Sequence, residues 1–228
     1  MSGREQPLAL DRHRRAIELT RDTEPTAFTV LLSELLTRIP GASAAALVDR
    51  DGESVDYAGN LSPFDVKVAA AHWQIVLGEL QRTEPFVGTR QVVVRGTLKS
   101  FIVRTLAEGY SVVVVLSARA GFAASTRAFL VFERAILREA GIGASPNGPK
   151  WTPVTVENDV RARPRALAAT ASAPRLSLEV LGAVVGLGKG EKGFRIRLDS
   201  GFEATVVREP GGAWYADEPI DRSGKAAK

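Results

Sequence analysis

The stretch ALVDRDGESVDYAG, residues 46–59, sets Asp49, Asp51, Glu53 and Asp56 around a single internal glycine. Carboxylates this close together are the raw material of a calcium cage. An EF-hand loop demands glycine at its sixth place and glutamate at its twelfth. A loop opening at Asp49 carries Ser54 and Asn60 there, and taking Gly52 as the sixth place makes Leu47 the first ligand. Neither frame fits. The apolar run 44–48, the Asp51-Gly52 dipeptide and the alternation of Val55 and Tyr57 with polar neighbours read instead as a hairpin with an acidic, solvent-facing tip.

The other chemistry-bearing residues are few. The segment GLGKGEKG, 186–193, has a phosphate-loop flavour, but Lys192 is followed by Gly193 and a strand-like run, not by Ser or Thr opening a helix. The dinucleotide pattern fails too, with Glu191 at its last place. It reads as a strand connection. Nucleophilic catalysis by serine needs a base beside it on a strained elbow; no G-x-S-x-G occurs and the two histidines are His13 and His72. His72 sits one turn from Val68 and Ile75, which suits packing or an interface. The chain has no cysteine, which excludes disulfides and thiolate sites. Trp151, Trp214 and Tyr215 could stack on a ligand, but Trp214 and Tyr215 read as packing anchors of a small β-module. The residues call for no catalytic group, no metal and no cofactor.

A formal net charge of +4 and a pI near 9.6 permit a nucleic-acid partner without demanding one, because the arginines are dispersed. The longest apolar run, VVVVL at 112–116, is far short of the about 20 residues of a membrane helix. No apolar stretch near the N-terminus suits a signal peptide, so a cytoplasmic location is expected.

The elements follow from periodicity. Residues 1–24 form a polar extension with room for a short helix over 8–19. Phe28, Leu31, Leu32, Leu35, Leu36 and Ile39 make one apolar stripe on a helix stopped by Pro40-Gly41. After the hairpin, Ser62, Pro63 and Asp65 open a helix running to Arg82, with Leu61 and Val66 placed as a staple. Phe64, Val68, Ala71 and Ile75 form one stripe on it; Ala69, Trp73, Val76, Leu77 and Leu80 form another. Two apolar faces need two partners, and the second can be another subunit. Three strands fill 90–117, the last two joined at Glu108-Gly109. A helix at 123–140, with Ala128, Val131, Phe132 and Ala135 inward, closes a domain of residues 25–141. Residues 142–175, with VRARPR inside, read as a linker. Four strands at 176–220 make a small antiparallel β-module, marginal by itself, and 221–228 reads as a disordered tail.

This order over 26–141 resembles the roadblock/dynein-light-chain family. The likeness is carried by LLSELLTRIPGASAAALVDRDGESVDYAG, by the helix opening at LSPFD, and by FIVRTLAEGYSVVVVLSA with its closing helix. It implies an α+β fold of order α-ββ-α-βββ-α, a five-stranded antiparallel sheet sandwiched by helices. It also implies a homodimer paired through the helix at 62–82 and the strand at 91–95, which singles out Val68, Ala71, His72, Ile75, Val92 and Val94 as interface residues. Family members are non-enzymatic regulators and adaptors. Bacterial MglB-like ones bind Ras-like small GTPases and modulate their nucleotide cycle in polarity and gliding motility. The C-terminal module lies outside that pattern and is a candidate surface for a further protein partner, so an assembly adaptor is the second expectation and a basic nucleic-acid binder the third.

Overall fold

The computed structural model describes residues 21–118, 125–142 and 150–226. The helix expected at 8–19, and His13 with it, lie outside them. Two compact units divide the chain at 122/123.

In the first unit, α1 (Ala27–Arg38) opens with a capping box. The Thr26 hydroxyl accepts from the Phe28 N–H at 3.1 Å, and the Thr26 N–H donates to the Thr29 hydroxyl at 2.9 Å. Leu32 and Leu35, from the expected stripe, are its buried residues. The sheet has the order β2-β1-β5-β4-β3, all antiparallel. Its strands are β1 (Ala42–Val48), β2 (Ser54–Gly59), β3 (Gln91–Val94), β4 (Lys99–Thr105) and β5 (Ser111–Ser117). The helix α2 (Pro63–Arg82) lies between β2 and β3 in sequence. This is the roadblock-like α+β sheet that the resemblance implies.

Why β1 and β5 sit centrally is plain from composition. Each holds an unbroken apolar run, 44–48 and 112–116, the pattern of a strand covered on both faces, and both are almost wholly buried. Ala44, Ala46, Val48, Tyr57, Val103, Val113 and Val115 share the face packed against Val66, Ala70 and Leu77 of α2. Alternate residues point the other way. Among them is Asp56, which meets the start of α1.

The second unit begins with α3 (Thr126–Glu139), capped by the Ser125 hydroxyl on the Ala128 N–H at 2.8 Å. The expected domain boundary at 141/142 therefore moves: by compactness α3 belongs with the C-terminal strands. Its buried row is Ala128, Phe129, Phe132 and Ile136, so Val131 and Ala135 of the expected face are only half-buried.

The remainder is a closed barrel in the order β10-β11-β6-β7-β8-β9. Its strands are β6 (Thr152–Asn158), β7 (Pro164–Ala168), β8 (Leu176–Val184), β9 (Lys192–Leu198), β10 (Glu203–Arg208) and β11 (Trp214–Ala216). Six strands replace the four expected, and the supposed linker supplies the extra two. Val154 and Leu167 carry them into the core beside Ile196, Val206 and Trp214. The tail is corrected as well. Ile220 bridges to Ala226, and Asp221 accepts from the Ser223 and Lys225 N–H groups at 2.8 and 2.9 Å, so 221–226 is held in a turn.

One turn recurs through both units. The residue opening it donates its N–H to the carbonyl four positions on and accepts from the N–H three positions on. This happens at Asp49, Asp159, Leu198, Glu209 and Asp221. The fourth residue is left-handed each time: Gly52, Ala162, Gly201, Gly212 and Gly224. In the three Asp-opened turns the carboxylate also accepts two following N–H groups. Only the turn at 159–163 puts a side chain, Ala162 at φ 58°, where the others use glycine. That substitution hid the β6–β7 hairpin in the sequence. A left-handed alanine costs about 1 kcal/mol, so Ala162→Gly is expected to raise the unfolding free energy by about 0.5–1 kcal/mol in urea titration.

Candidate functional site

The acidic cluster does not converge. The Asp49 carboxylate folds over its own turn onto the Asp51 and Glu53 N–H groups, at 3.0 and 2.9 Å. Asp56, expected on a solvent-facing hairpin, is only 3% exposed. It accepts from the Thr26 and Thr29 hydroxyls, each at 2.5 Å, from its neighbour Tyr57 N–H at 2.7 Å, and from the Arg21 guanidinium. Burial alone would push this carboxyl up, but the hydrogen bonds from Thr26, Thr29 and Arg21 outweigh it and hold it below the usual carboxylate range. Among the described residues no group of His, Asp and Glu is placed to hold a metal ion.

The glycine-rich segment at 186–193 also has a structural occupation. The Glu191 carboxylate accepts from the Gly188 N–H at 3.0 Å and pairs with Arg127 of α3 at 2.6 Å. Burial would raise the Glu191 carboxyl, yet the Arg127 bond and the Gly188 N–H hold it low. The VRARPR run is partly neutralised: Arg165 lies 3.3 Å from Glu157, and Arg175 pairs with the same carboxylate. Trp214 is in the barrel core. Tyr215 is fully buried, with its hydroxyl 3.5 Å from that of Ser125.

What the first unit leaves uncovered is one face of α2. Its buried row is Pro63, Val66, Ala70 and Leu77, with Trp73 tilted against Phe101 at 5.1 Å between ring centroids. Of these, Pro63, Val66 and Ala70 belonged to neither expected stripe, Val66 being expected only as a staple; the four-residue step from Val66 to Ala70 was the available signal. The stripe of Phe64, Val68 and Ile75 faces solvent at 75, 42 and 63% exposure. His72 is exposed among them and Ala71 is half-buried. At the sheet edge, β3 pairs with β4 alone. Val92 packs on the core cluster beneath α2 and Val94 is half-buried, so the outward apolar residue of β3 is Val93, which the sequence reading passed over. Phe86 and Val87, just before β3, and Leu98, just after it, are exposed as well.

A cleft of about 490 Å³ lies beside Ile75, bounded by Arg50, Gln74, Gly78, Glu79 and Arg82 among others, with no histidine in its wall. This lining offers charge and hydrogen-bonding groups. Among the described residues no helix is long and apolar enough to cross a membrane.

No protein-family model matches the chain, and neither does any curated protein. Solved structures do. A roadblock/LC7 domain from Streptomyces avermitilis is 21% identical over 50% of this chain and 97% of its own, with a TM-score of 0.43. The gliding protein MglB of Thermus thermophilus is 20% identical over 52% of this chain and 95% of its own, with a TM-score of 0.43. For MglB of Myxococcus xanthus the values are 16%, 52%, 98% and 0.44. These matches cover about half the chain, and the C-terminal part is unmatched in them.

Proposed function

We propose that this chain is a homodimeric, non-catalytic regulator that binds a Ras-like small GTPase in the cytoplasm and modulates its nucleotide cycle. The observation carrying the dimer is the apolar row Phe64, Val68 and Ile75 standing uncovered on α2 while β3 forms an edge of the sheet. A helix apolar on two faces buries both in its working state. The GTPase rests on the sequence resemblance.

Ile75→Asp puts a carboxylate into the seam while leaving the buried row Val66, Ala70 and Leu77 intact. It should convert a two-chain species into a folded monomer by light scattering, weakening association by at least about 2 kcal/mol, roughly 30-fold. An unchanged mass refutes the α2 seam. For the GTPase, capture of a panel of Ras-like proteins loaded with GTP or GDP is expected to depend on the nucleotide. Indifference to nucleotide, with no change in hydrolysis or exchange rate, refutes that part.

The adaptor reading is favoured by a separate observation. The β8 region of the barrel exposes Leu181 and Val185, the latter at 89%, and such residues suit a further protein partner. Leu181→Lys with Val185→Lys in the full chain would abolish capture of that partner without touching the dimer mass.

A further inference from the structure

We propose that residues 21–29 form a strap that seals the outer edge of β2, so that a second copy can extend the sheet only at β3 and assembly stops at two chains. The inference rests on the dimer reading above and adds what limits it.

The sheet has two edge strands, β2 and β3. An edge strand turns the N–H and C=O of alternate residues outward, ready to pair with another chain. On β2 the central residue of that outward set is Tyr57, and both of its groups are taken. Its N–H donates to the Asp56 carboxylate at 2.7 Å, and its C=O accepts from the Arg21 guanidinium. The same guanidinium lies 4.3 Å from the centre of the Tyr57 ring and binds Asp56. Its Nε donates to the Thr23 carbonyl at 2.8 Å, which fixes its direction.

The strap is fastened at several further points. The Tyr57 hydroxyl donates to the Asp22 carboxylate at 2.6 Å and accepts from the Asp22 N–H at 3.1 Å. Lys67 of α2 holds Asp22 from the other side at 2.8 Å. Thr26 and Thr29 close on Asp56. A strand arriving at β2 would need the positions that Arg21 and Asp56 occupy.

Symmetry gives this closure its consequence. Antiparallel pairing of β3 with β3 of a second copy is isologous and leaves the two β2 strands at the ends of the joined sheet. Were β2 open, a β2–β2 contact would add a third and a fourth copy, and the assembly would run on as a filament. With β2 sealed it ends at two.

The test is the mass of the full chain by light scattering over a wide concentration series, with circular dichroism to verify folding and hydrogen exchange at the Tyr57 amide. The wild type should reach two chains and hold there. Arg21→Ala, and more so Arg21→Ala with Asp22→Ala, should exchange Tyr57 faster and grow beyond two chains as concentration rises. Folded variants that keep the wild-type mass overturn the proposal, as does a wild type that itself grows past two. A wild type that is monomeric throughout refutes the dimer reading instead, and growth of Arg21→Ala would still decide for or against the strap.

Discussion

Replacing Asp56 by alanine should lower the unfolding free energy by about 3–5 kcal/mol in a urea titration, the range for removing one partner of a buried ion pair. The carboxylate sits at 3% exposure and receives two threonine hydroxyls, a backbone N–H and a guanidinium. Without it the buried Tyr57 N–H and the part-buried Thr29 hydroxyl and Arg21 guanidinium lose their shared acceptor, and a donor left unmet there carries its own desolvation penalty. The loss should fall on the start of α1, since Thr26 serves both as its cap and as a ligand of Asp56. Asp56→Asn keeps the shape and loses the charge, so it should cost less than alanine. Acid should have a similar effect. The folded carboxyl lies below its unfolded value, so its contribution is fully present above about pH 4 and is lost as pH falls through the depressed folded value. Wild type and Asp56→Asn should therefore differ most near neutrality and converge on acidification. A gap that stays constant down to pH values well below 4 would contradict this account.

Arg127→Ala should be comparably damaging to the second unit, by about 3–5 kcal/mol. The Arg127 side chain is 12% exposed and bridges Glu191 at 2.6 Å and Glu209 at 3.2 Å, the latter carboxylate being only 5% exposed. It also lies 4.4 Å from the Trp151 ring centre, a contact worth about 0.5–1 kcal/mol. Truncation removes the cation paired with the buried Glu209 carboxylate, and that penalty exceeds the value of the bridge itself. A double-mutant cycle separates the two. If the buried charge of Glu209 carries the loss, Arg127→Ala with Glu209→Gln should be markedly more stable than the sum of the single changes requires. Additive effects would show that Arg127 acts through packing on Trp151 alone.

The elements whose signal is local emerged from the residues unaided. The α1 stripe, the Ser62-Pro63 start of α2, the apolar runs of β1 and β5 and the Asp51-Gly52 turn come from side-chain periodicity and backbone permissiveness. They recur in the structure at nearly their expected bounds. So did the two-faced character of α2, because Phe64, Val68 and Ile75 are apolar whichever side they face. Tertiary structure alone decided what depends on partners far along the chain. β6 has only the short alternation of Val154 and Val156 with Thr155 and Glu157, and β7 has less; β11 and β8 pair with them to complete a closed barrel. Ala162, in the place of the usual glycine, concealed the hairpin between them. Val92 and Val93 are chemically equal in the sequence, and only the register of β3 on β4 sends one to the core and the other outward. Asp56 is the clearest case. Nothing in DRDGESVD distinguishes it from its acidic neighbours, yet strand alternation turns it toward the start of α1, where Arg21, Thr26 and Thr29 meet it. A carboxylate is solvated or structural according to the donors that reach it, and those are assembled only when the chain is folded.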